Sequence, residues 1–452
     1  MSKRKPSQAK KLSKSPHPSS SRSQHEPGSR EATQTAASPP SLAIKTLGKI
    51  SLSQYFLCLF SILIFVVGAY FGSKYLSWDS SFAVTGNSTK PVSWKSSTRS
   101  VVSVSRPEDY YPAAEFRPQA AILLGCQSRL PLLPELYAEI AQAVNRKVPL
   151  FGVVNSEMQA LDGVKLMAEL GLPPDLIRFV VLPSNSIWIR DYAPLILRYD
   201  EGRAIMVDAK YHNRSMRENR KKDDFMGFEM ARLLDLPVRS IPLLLEGGNL
   251  VSNGEGMLFT TNKTVRANAA GEYTAKQIGM MFNDFLGVSS VFTVSPLIGE
   301  PNGHTDMFMT MLSNNLAVMC EIDPAVDPAN SALLNENAKL ISSVTSSSGP
   351  VVVKRIPMPP KSGEHWRSYT NVIMANGVLL MPSFSDVDSA LEDRAEAVYR
   401  SCLPPGWDVK RINCDKLVNL NGQLHCISYN IPNFVSIEGL SRKAFPQTNI
   451  IE

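Results

Sequence analysis

The chain has 452 residues, of which 44% are hydrophobic, so it can bury at least one large core. Its net charge of +6 is unevenly distributed. Residues 1–50 hold ten Lys and Arg against two Glu, a net charge of +8, whereas the rest holds 37 basic and 39 acidic residues, a net charge of −2. The body lacks the positive excess that binds phosphate backbones, which argues against a nucleic-acid-binding protein.

The N-terminal quarter of the sequence predicts a membrane anchor. Residues 1–50 are rich in Ser, Pro and Lys and predict a disordered basic tail. An apolar segment at 51–73 follows, and the 24 residues between Lys49 and Lys74 carry no charge, enough to cross a bilayer core of ~30 Å as a helix. A buried core helix is the alternative. Residues 74–105, rich in Ser, Thr and Val, predict a stalk.

The charge on either side of the apolar segment predicts its orientation. Because the Lys and Arg residues precede it, the N-terminus is expected to be cytoplasmic and the rest extracytoplasmic, in a single-pass membrane protein. Five of the six cysteines follow the segment and would lie in a compartment where disulfides form. Since five is odd, at least one thiol stays unpaired or pairs between chains.

Residues 106–440 predict one globular domain, followed by a C-terminal tail at 441–452. Helical and strand patterns alternate, which indicates an α/β fold. Several segments open with a polar cluster and continue as a strand, a turn and a returning strand. These segments are "WIRDYAPLILRYDEGRAIMVDA", "EGGNLVSNGEGMLFTT", "GHTDMFMTMLSNNLAVMCEI" and "YTNVIMANGVLLMPSF", and "NGQLHCISYNIP" matches the first half of a fifth.

One polar residue from each unit marks a regular period. Asp191, Glu246, His304, Asn371 and Cys426 are separated by 55, 58, 67 and 55 residues. Such a period indicates repeated supersecondary units, and radial repetition would bring the five polar clusters to a common axis. Alternating strands and turns also occur in many other α/β folds, which is the alternative interpretation.

The clustered residue types point to thiol chemistry. A thiolate needs a base or a positive neighbour, and His304 is the candidate for Cys426. His425 is adjacent to Cys426 on a presumed strand, so the two side chains should face opposite sides, with His425 packing or hydrogen-bonding. Asp306 would share a face with His304 if that segment is extended.

Two carboxylates near one thiol suit a planar cation. Asp191 and Asp306 match the paired N–H donors of a guanidinium group, and Trp188 could stack on the cation or its alkyl stem. This excess of negative charge does not suit proteolysis or acyl transfer, in which a developing anion needs donors. A metal site made of His304, Asp306 and Cys426 is the alternative.

The motifs "WIRDYAP", "LEGGNL", "NGHTDMF", "YTNVIMANGVLLMPSF" and "NGQLHC", in this order, resemble the guanidine-modifying pentein superfamily. Within it they are similar to the agmatine deiminase and bacterial-type peptidylarginine deiminase family. "YYPAAEFRPQAAILLGC" looks like that family's opening strand, and the resemblance runs from about Arg106 to Asn433. It implies a five-bladed αβ-propeller with pseudo-fivefold repeats, a substrate in the central pore, and neither metal nor organic cofactor.

The resemblance also implies roles for the residues. Cys426 would attack the guanidinium carbon, and His304 would protonate the departing ammonia and then activate water. Asp191 and Asp306 would hold the guanidinium nitrogens, and Glu246 would orient His304. Asn371 would also contact the reacting groups.

The sequence departs from agmatine deiminases near the thiol. Those enzymes typically carry three glycines before the Cys, where this chain has Leu420, Asn421 and Gly422. Arg214 and Arg217 could instead bind a carboxylate, which agmatine lacks and a C-terminal peptidyl arginine has, although a solvated charged loop is the alternative.

The sequence therefore predicts a cysteine-dependent guanidine deiminase that converts peptidyl-arginine or a small guanidino compound to a ureido product and ammonia. The alternatives are an agmatine deiminase, an amidinotransferase and a non-catalytic pentein-fold surface protein. The expected partners are a guanidino substrate and, through the single span, a membrane.

Overall fold

The computed structural model describes residues 111–199, 203–211, 220–271 and 273–446. The predicted tail at 1–50, span at 51–73 and stalk at 74–105 lie outside these ranges, as do Arg214 and Arg217.

The prediction of a membrane-spanning fold is corrected by the helices that the structure describes. Within the described ranges, no helix is both long and apolar enough to cross a bilayer. The longest described helix, Pro328–Ser342, has 15 residues, which at 1.5 Å per residue falls well short of a ~30 Å hydrocarbon core. The predicted fold class with a preceding transmembrane helix, the membrane as a partner and the extracytoplasmic location are therefore withdrawn.

The strands of the described chain form separate open sheets rather than one closed sheet. Five sheets have three or four strands and a sixth is a two-stranded pair, all within the described residues. In chain order the strands are β1 Tyr111–Pro112, β2 Gln119–Gly125, β3 Leu150–Val154, β4 Arg178–Val181, β5 Leu195–Tyr199, β6 Arg203–Lys210, β7 Val238–Leu244, β8 Val251–Ser252, β9 Met257–Thr261, β10 Ser290–Val294, β11 Met309–Ser313, β12 Leu316–Glu321, β13 Thr345–Ser346, β14 Gly349–Pro350, β15 Val352–Pro357, β16 Ile373–Met374, β17 Val378–Ser383, β18 Asp408–Asn413 and β19 Ser428–Pro432.

Each of the five larger sheets repeats one pairing pattern. A central strand pairs antiparallel with one neighbour and parallel with the next. The central strands are β2, β6, β9, β12 and β17. In four sheets the antiparallel partner directly precedes the central strand in the chain. The exception is β19, which pairs with β2 across almost the whole described chain.

The hairpin turns follow from local sequence. In the turn between β16 and β17, Asn376 and Gly377 both have positive φ, 41° and 96°. Two successive positive values match a type I′ turn, whose twist fits the flanking strands and which favours Asn-Gly. The backbones of Ala375 and Val378 exchange hydrogen bonds of 2.9 and 3.2 Å across it. The Asn-Gly signal therefore marks a real hairpin.

Most of the described helices connect the parallel strands of a sheet. Their bounds are α1 Pro134–Val144, α2 Glu157–Glu169, α3 Ile189–Tyr192, α4 Lys221–Asp224, α5 Met226–Leu234, α6 Asn262–Ala269, α7 Ala275–Leu286, α8 Pro328–Ser342, α9 Ser389–Cys402, α10 Asp415–Val418 and α11 Glu438–Lys443, with 3₁₀ turns at Gln127–Leu132, Gly247–Asn249 and Thr305–Met307. Local signals set the ends of α7: Thr274 and Gln277 form a capping box, and Gly287 ends the helix in the left-handed region at φ 62°.

The core lies around the central strands. All five residues of β9 are buried, as are six of the seven in β2. Burial on both faces explains why apolar residues predominate in these strands. Each fully buried Leu or Ile stabilises the fold by about 1.5–3 kcal/mol relative to an exposed one. The turns at the starts of the hairpins are thereby held on a rigid frame.

Candidate active site

Each repeated unit brings polar residues to the point just before its first hairpin strand. Asp191 lies on the single-turn helix α3 before β5, and Glu246 precedes the 3₁₀ turn before β8. His304 starts the 3₁₀ turn before β11, and Asp306 lies within it. Asn371 and Cys426 each lie two residues before a strand, β16 and β19. The contacts below bring all six together.

The imidazole of His304 lies between two carboxylates. Its Nε2 is 2.9 Å from Oε2 of Glu246, and its Nδ1 is 3.7 Å from Oδ1 of Asp191. Burial alone would lower the pKa of His304, but Asp191, Glu246 and Asp306 outweigh it and raise the pKa to about 10. His304 is therefore an imidazolium at neutral pH.

The loop before His304 is fixed by neighbouring side chains. The carboxylate of Glu300 accepts hydrogen bonds from the backbone N–H groups of Asn302 (3.0 Å), Gly303 and His304 (3.2 Å). From helix α6, Lys263 Nζ donates to the carbonyl of Pro301 at 2.6 Å. These contacts leave the imidazole little freedom, as an acid–base group requires.

Asp191 and Asp306 are acids with spare hydrogen-bonding capacity. Among the described residues, Oδ1 of each accepts no hydrogen bond although it is fully buried. Burial raises the pKa of Asp191 to about 7, with His304 opposing and Glu246 and Asp306 adding to the rise. Buried carboxylate oxygens normally have partners, so the two open positions point to a missing donor.

Gly248 allows these groups to approach one another. A Cβ atom at this position would lie 2.6 Å from Nδ1 of His304, 2.9 Å from Oδ1 of Asp191 and 3.0 Å from Oδ2 of Asp306. All three distances are shorter than ordinary van der Waals contacts. Gly248 belongs to the quoted "LEGGNL" motif, but its central position in the site could not be derived from the sequence.

The thiol of Cys426 is uncharged in the free protein. Its Sγ lies 3.6 Å from Oδ1 of Asn371, which also accepts the backbone N–H of His425 at 2.9 Å. Burial raises the pKa of the thiol well above its usual value, and the negative charges of Asp306 and Asp191 raise it further. The predicted base, His304, bonds to Glu246 instead of to the thiol.

Cys426 opens onto a cavity of about 630 Å³. Asp191, Glu246 and Trp188 share its wall with the thiol. The indole of Trp188 packs so closely on Gly422 that a Cβ there would lie 2.2 Å from a ring carbon. The cations on this wall are Arg220, Lys263 and Arg266, whereas the predicted Arg214 and Arg217 lie outside the described residues.

His425 has a more specific environment than the sequence suggested. Residues 425–427 form a turn, and β19 begins only at Ser428, so strand alternation does not apply to His425. Its ring bonds to Asp306 and to Glu115. The backbone of Asp306 also differs from the prediction, because it lies in a 3₁₀ turn rather than an extended segment. Glu115 and the neighbouring Arg190 were not predicted as site residues, although both lie within quoted motifs.

Among the described residues, neither a disulfide nor a metal site accompanies the reactive thiol. The five described cysteines, Cys126, Cys320, Cys402, Cys414 and Cys426, are all free. Within the described ranges, no group of three or more His, Cys, Asp or Glu side chains is arranged to hold a metal ion. A thiol, an imidazolium and two open carboxylate positions are thus the chemical resources of the site.

The sequence profile of the Porphyromonas-type peptidyl-arginine deiminases matches residues 113–432. The chain belongs to this family. The matched region contains every site residue described above. The predicted family and the predicted guanidine deiminase class are confirmed.

Individual relatives are distant but cover the same region. Agmatine deiminase of Stutzerimonas stutzeri is 24% identical over 374 residues, which are 74% of this chain and 98% of the relative. Among solved structures, agmatine deiminase of Enterococcus faecalis superposes with a TM-score of 0.62 at 18% identity, covering 72% of this chain and 97% of its own. C. jejuni agmatine deiminase gives a TM-score of 0.60 at 17% identity, covering 73% and 98%. These superpositions establish a shared fold.

Proposed function

We propose that the protein hydrolyses a guanidinium group to a ureido group and ammonia, with Cys426 as nucleophile. The observation that carries the proposal is the pair of buried carboxylates, Asp191 and Asp306, each with one oxygen that accepts no hydrogen bond among the described residues. A guanidinium offers planar, paired N–H donors that would fill both positions. Its family membership supports the same reaction.

The first half of the reaction forms a covalent intermediate. Binding of the guanidinium brings a positive charge next to Cys426, which favours loss of the thiol proton to solvent. The sulfur bonds to the guanidinium carbon, and the imidazolium of His304 gives its proton to one terminal nitrogen. The carbon–nitrogen bond breaks and ammonia leaves, so the carbon remains attached to sulfur as a positively charged thiouronium group.

The second half of the reaction uses the same imidazole as a base. Neutral His304 takes a proton from water, and the hydroxide oxygen bonds to the thiouronium carbon. The carbon–sulfur bond then breaks, and the proton on oxygen passes to the sulfur. The products are the ureido group, a neutral Cys426 thiol and an imidazolium at His304, which is the charge state of the free protein. Glu246, bonded to Nε2, would keep the ring oriented through both steps.

The charge distribution of the cavity favours a substrate with an anionic group. Asp191 and Glu246 line this cavity together with Cys426, and the cations Arg220, Lys263 and Arg266 line it as well. Agmatine has a second positive charge at its far end, whereas arginine and a peptide that ends in arginine carry a carboxylate. We therefore propose a carboxylate-bearing guanidino compound as substrate. Agmatine is the second candidate, favoured by the names of the relatives.

A comparison of three substrates tests reaction and specificity together. Ammonia release is measured from agmatine, free arginine and a short peptide ending in arginine, with EDTA present. We expect release from the carboxylate-bearing compounds and formation of citrulline. Absence of ammonia from all three would contradict the deiminase assignment, and a strong preference for agmatine would contradict the proposed substrate class.

The variant Arg266→Ala should discriminate between these substrates. Arg266 is exposed on the cavity wall, so loss of its charge should lower kcat/KM for the peptide about two- to fivefold and leave agmatine unaffected or improved. Arg232→Ala is the matched control, because Arg232 is an exposed arginine that pairs with Glu229 and does not line this cavity. Equal effects of Arg266→Ala on both substrates would contradict a carboxylate-binding role.

The pH dependence of kcat/KM should rise towards alkaline pH. The thiol of Cys426, whose pKa is raised, must lose a proton, so log kcat/KM is expected to increase with a slope of about 1 above neutral pH. Below pH 7 the slope should steepen, because Asp191 with its pKa of about 7 must also be ionised to bind the cation. Near pH 10 the rise should level off, because the loss of the His304 proton offsets the further ionisation of the thiol. An optimum below pH 7 in steady-state assays would contradict this assignment.

A further inference from the structure

A chain of four charged side chains runs away from the reacting groups. Oδ2 of Asp306 lies 2.7 Å from Nδ1 of His425, and Nε2 of His425 lies 2.9 and 3.1 Å from the two carboxylate oxygens of Glu115. Glu115 in turn is bonded by the guanidinium of Arg190. His425 and Arg190 are each 8% exposed and Asp306 is 1% exposed. The signs of charge alternate along the chain.

Both ring nitrogens of His425 face carboxylates, which requires a proton on each. A neutral imidazole would place a lone pair against one carboxylate, so the doubly protonated form fits this geometry. Burial and Arg190 lower the pKa of His425, but Glu115 and Asp306 outweigh them and raise it. Burial raises the pKa of Glu115, yet Arg190 and His425 lower it to about 2. Each buried charge is therefore compensated by a neighbour.

This network borders a different cavity from the one onto which the thiol opens. Glu115, Arg190, Asp306 and His425 border a second, small cavity of about 80 Å³, and none of the four lines the cavity that contains Cys426. Asp306 thus receives its hydrogen bond from one side through Oδ2, while Oδ1 accepts none among the described residues. Without the imidazole, the carboxylate would have room to rotate towards the small cavity.

We propose that His425, itself fixed by Glu115, is a positioning residue that holds Asp306 by one oxygen and leaves the other free for the guanidinium. The proposal rests on the deiminase function proposed above. This role explains why His425, although it directly precedes Cys426 in the sequence, is buried between two carboxylates and does not act as the base for the thiol. His425 acts on the substrate only through Asp306.

Two substitutions with similar side chains test this role. The amide nitrogen of Asn can occupy the position of Nδ1, so His425→Asn keeps a donor to Asp306 and loses the bond to Glu115. The longer Gln matches Nε2, so His425→Gln keeps the contact with Glu115 and loses the bond to Asp306. Both variants remove the buried positive charge, and both should lower the Tm. Only the Gln variant should release the carboxylate of Asp306.

The expected readout is a difference in KM. His425→Gln should raise KM for the guanidino substrate about 10- to 100-fold, the effect of losing a charge-assisted hydrogen bond, with a smaller change in kcat. His425→Asn should raise KM less, about three- to tenfold, because it keeps a donor to Asp306 and loses only the contact with Glu115. Equal KM values for the two variants, or an unchanged KM in the Gln variant, would overturn the proposal. A purely structural role predicts equal losses in both.

A second variant covers a failure of His425→Gln to fold. Glu115→Gln retains the imidazole and its bond to Asp306 but removes the carboxylate that fixes the ring from the other side, so KM should rise about three- to tenfold. An unchanged KM in folded Glu115→Gln would contradict the role of Glu115. Wild-type turnover separates the two proposals. If no guanidino substrate releases ammonia, the proposed function is wrong. If the wild type turns over normally and the variants match it, only the positioning role of His425 is wrong.

Discussion

Replacing Cys426 with alanine is expected to abolish ammonia release, by a factor on the order of 10⁴ or more, because no other described group can form the bond to the guanidinium carbon. The substitution removes only the thiol, and the described hydrogen bond of this thiol, to Asn371, is long at 3.6 Å. The fold should therefore be retained. Turnover is measured by ammonia release and folding by the thermal midpoint.

Cys402→Ala provides the matched control for the loss of the thiol. Cys402 is a free, half-buried cysteine at the end of α9 and does not line the cavity of Cys426. Its substitution should leave turnover unchanged. Mass spectrometry adds a direct test, since wild-type protein quenched during turnover should carry a covalent adduct on the peptide containing residue 426. Residual turnover near the wild-type rate in Cys426→Ala would refute the nucleophile assignment.

Substituting Gly248 with alanine should reduce kcat/KM by about 100-fold, although no reacting atom is removed. The added Cβ would overlap with His304, Asp191 and Asp306 at distances of 2.6 to 3.0 Å, so these groups must move apart. A displacement of about 1 Å in a catalytic group is enough for a loss of this size. The strained packing should also lower the free energy of unfolding by about 1–3 kcal/mol.

The corresponding control for Gly248 is another glycine without close neighbours. A Cβ on Gly279, in helix α7, would meet no atom within 4 Å. Gly279→Ala should therefore leave kcat/KM unchanged and stabilise the protein by about 0.5–1 kcal/mol, because alanine has the higher helix propensity. If Gly248→Ala retains kcat/KM within threefold of the wild type, the close approach of the three groups does not matter for turnover.

The sequence was most informative where the physics is local. The Asn-Gly turn at residues 376–377 and the polar residues just before each hairpin could be read from neighbouring positions, because turn conformation depends on adjacent side chains. Choosing one polar residue per unit therefore selected His304 and the two carboxylates that it contacts, Asp191 and Glu246.

The sequence was least informative where contacts are distant or where backbone geometry was assumed. His425 bonds to Glu115, a partner 310 positions earlier in the chain, which no local pattern indicates. The turn at 425–427 and the 3₁₀ turn at Thr305–Met307 also replace the extended backbone on which the facing of His425 and Asp306 was predicted. Gly248 matters because it has no side chain, and the groups that pack around it come from distant parts of the chain.

The pairing of β19 with β2 places the nucleophile late in protein synthesis. Residues 119–125 form the central strand of a sheet whose antiparallel edge is residues 428–432, so that edge cannot form until the ribosome has released more than 300 further residues. A nascent chain that has already folded around His304 still lacks the sulfur atom. Because the sulfur of Cys426 is among the last described atoms to be synthesised, the proposed reaction has to wait until almost the whole described chain has been made.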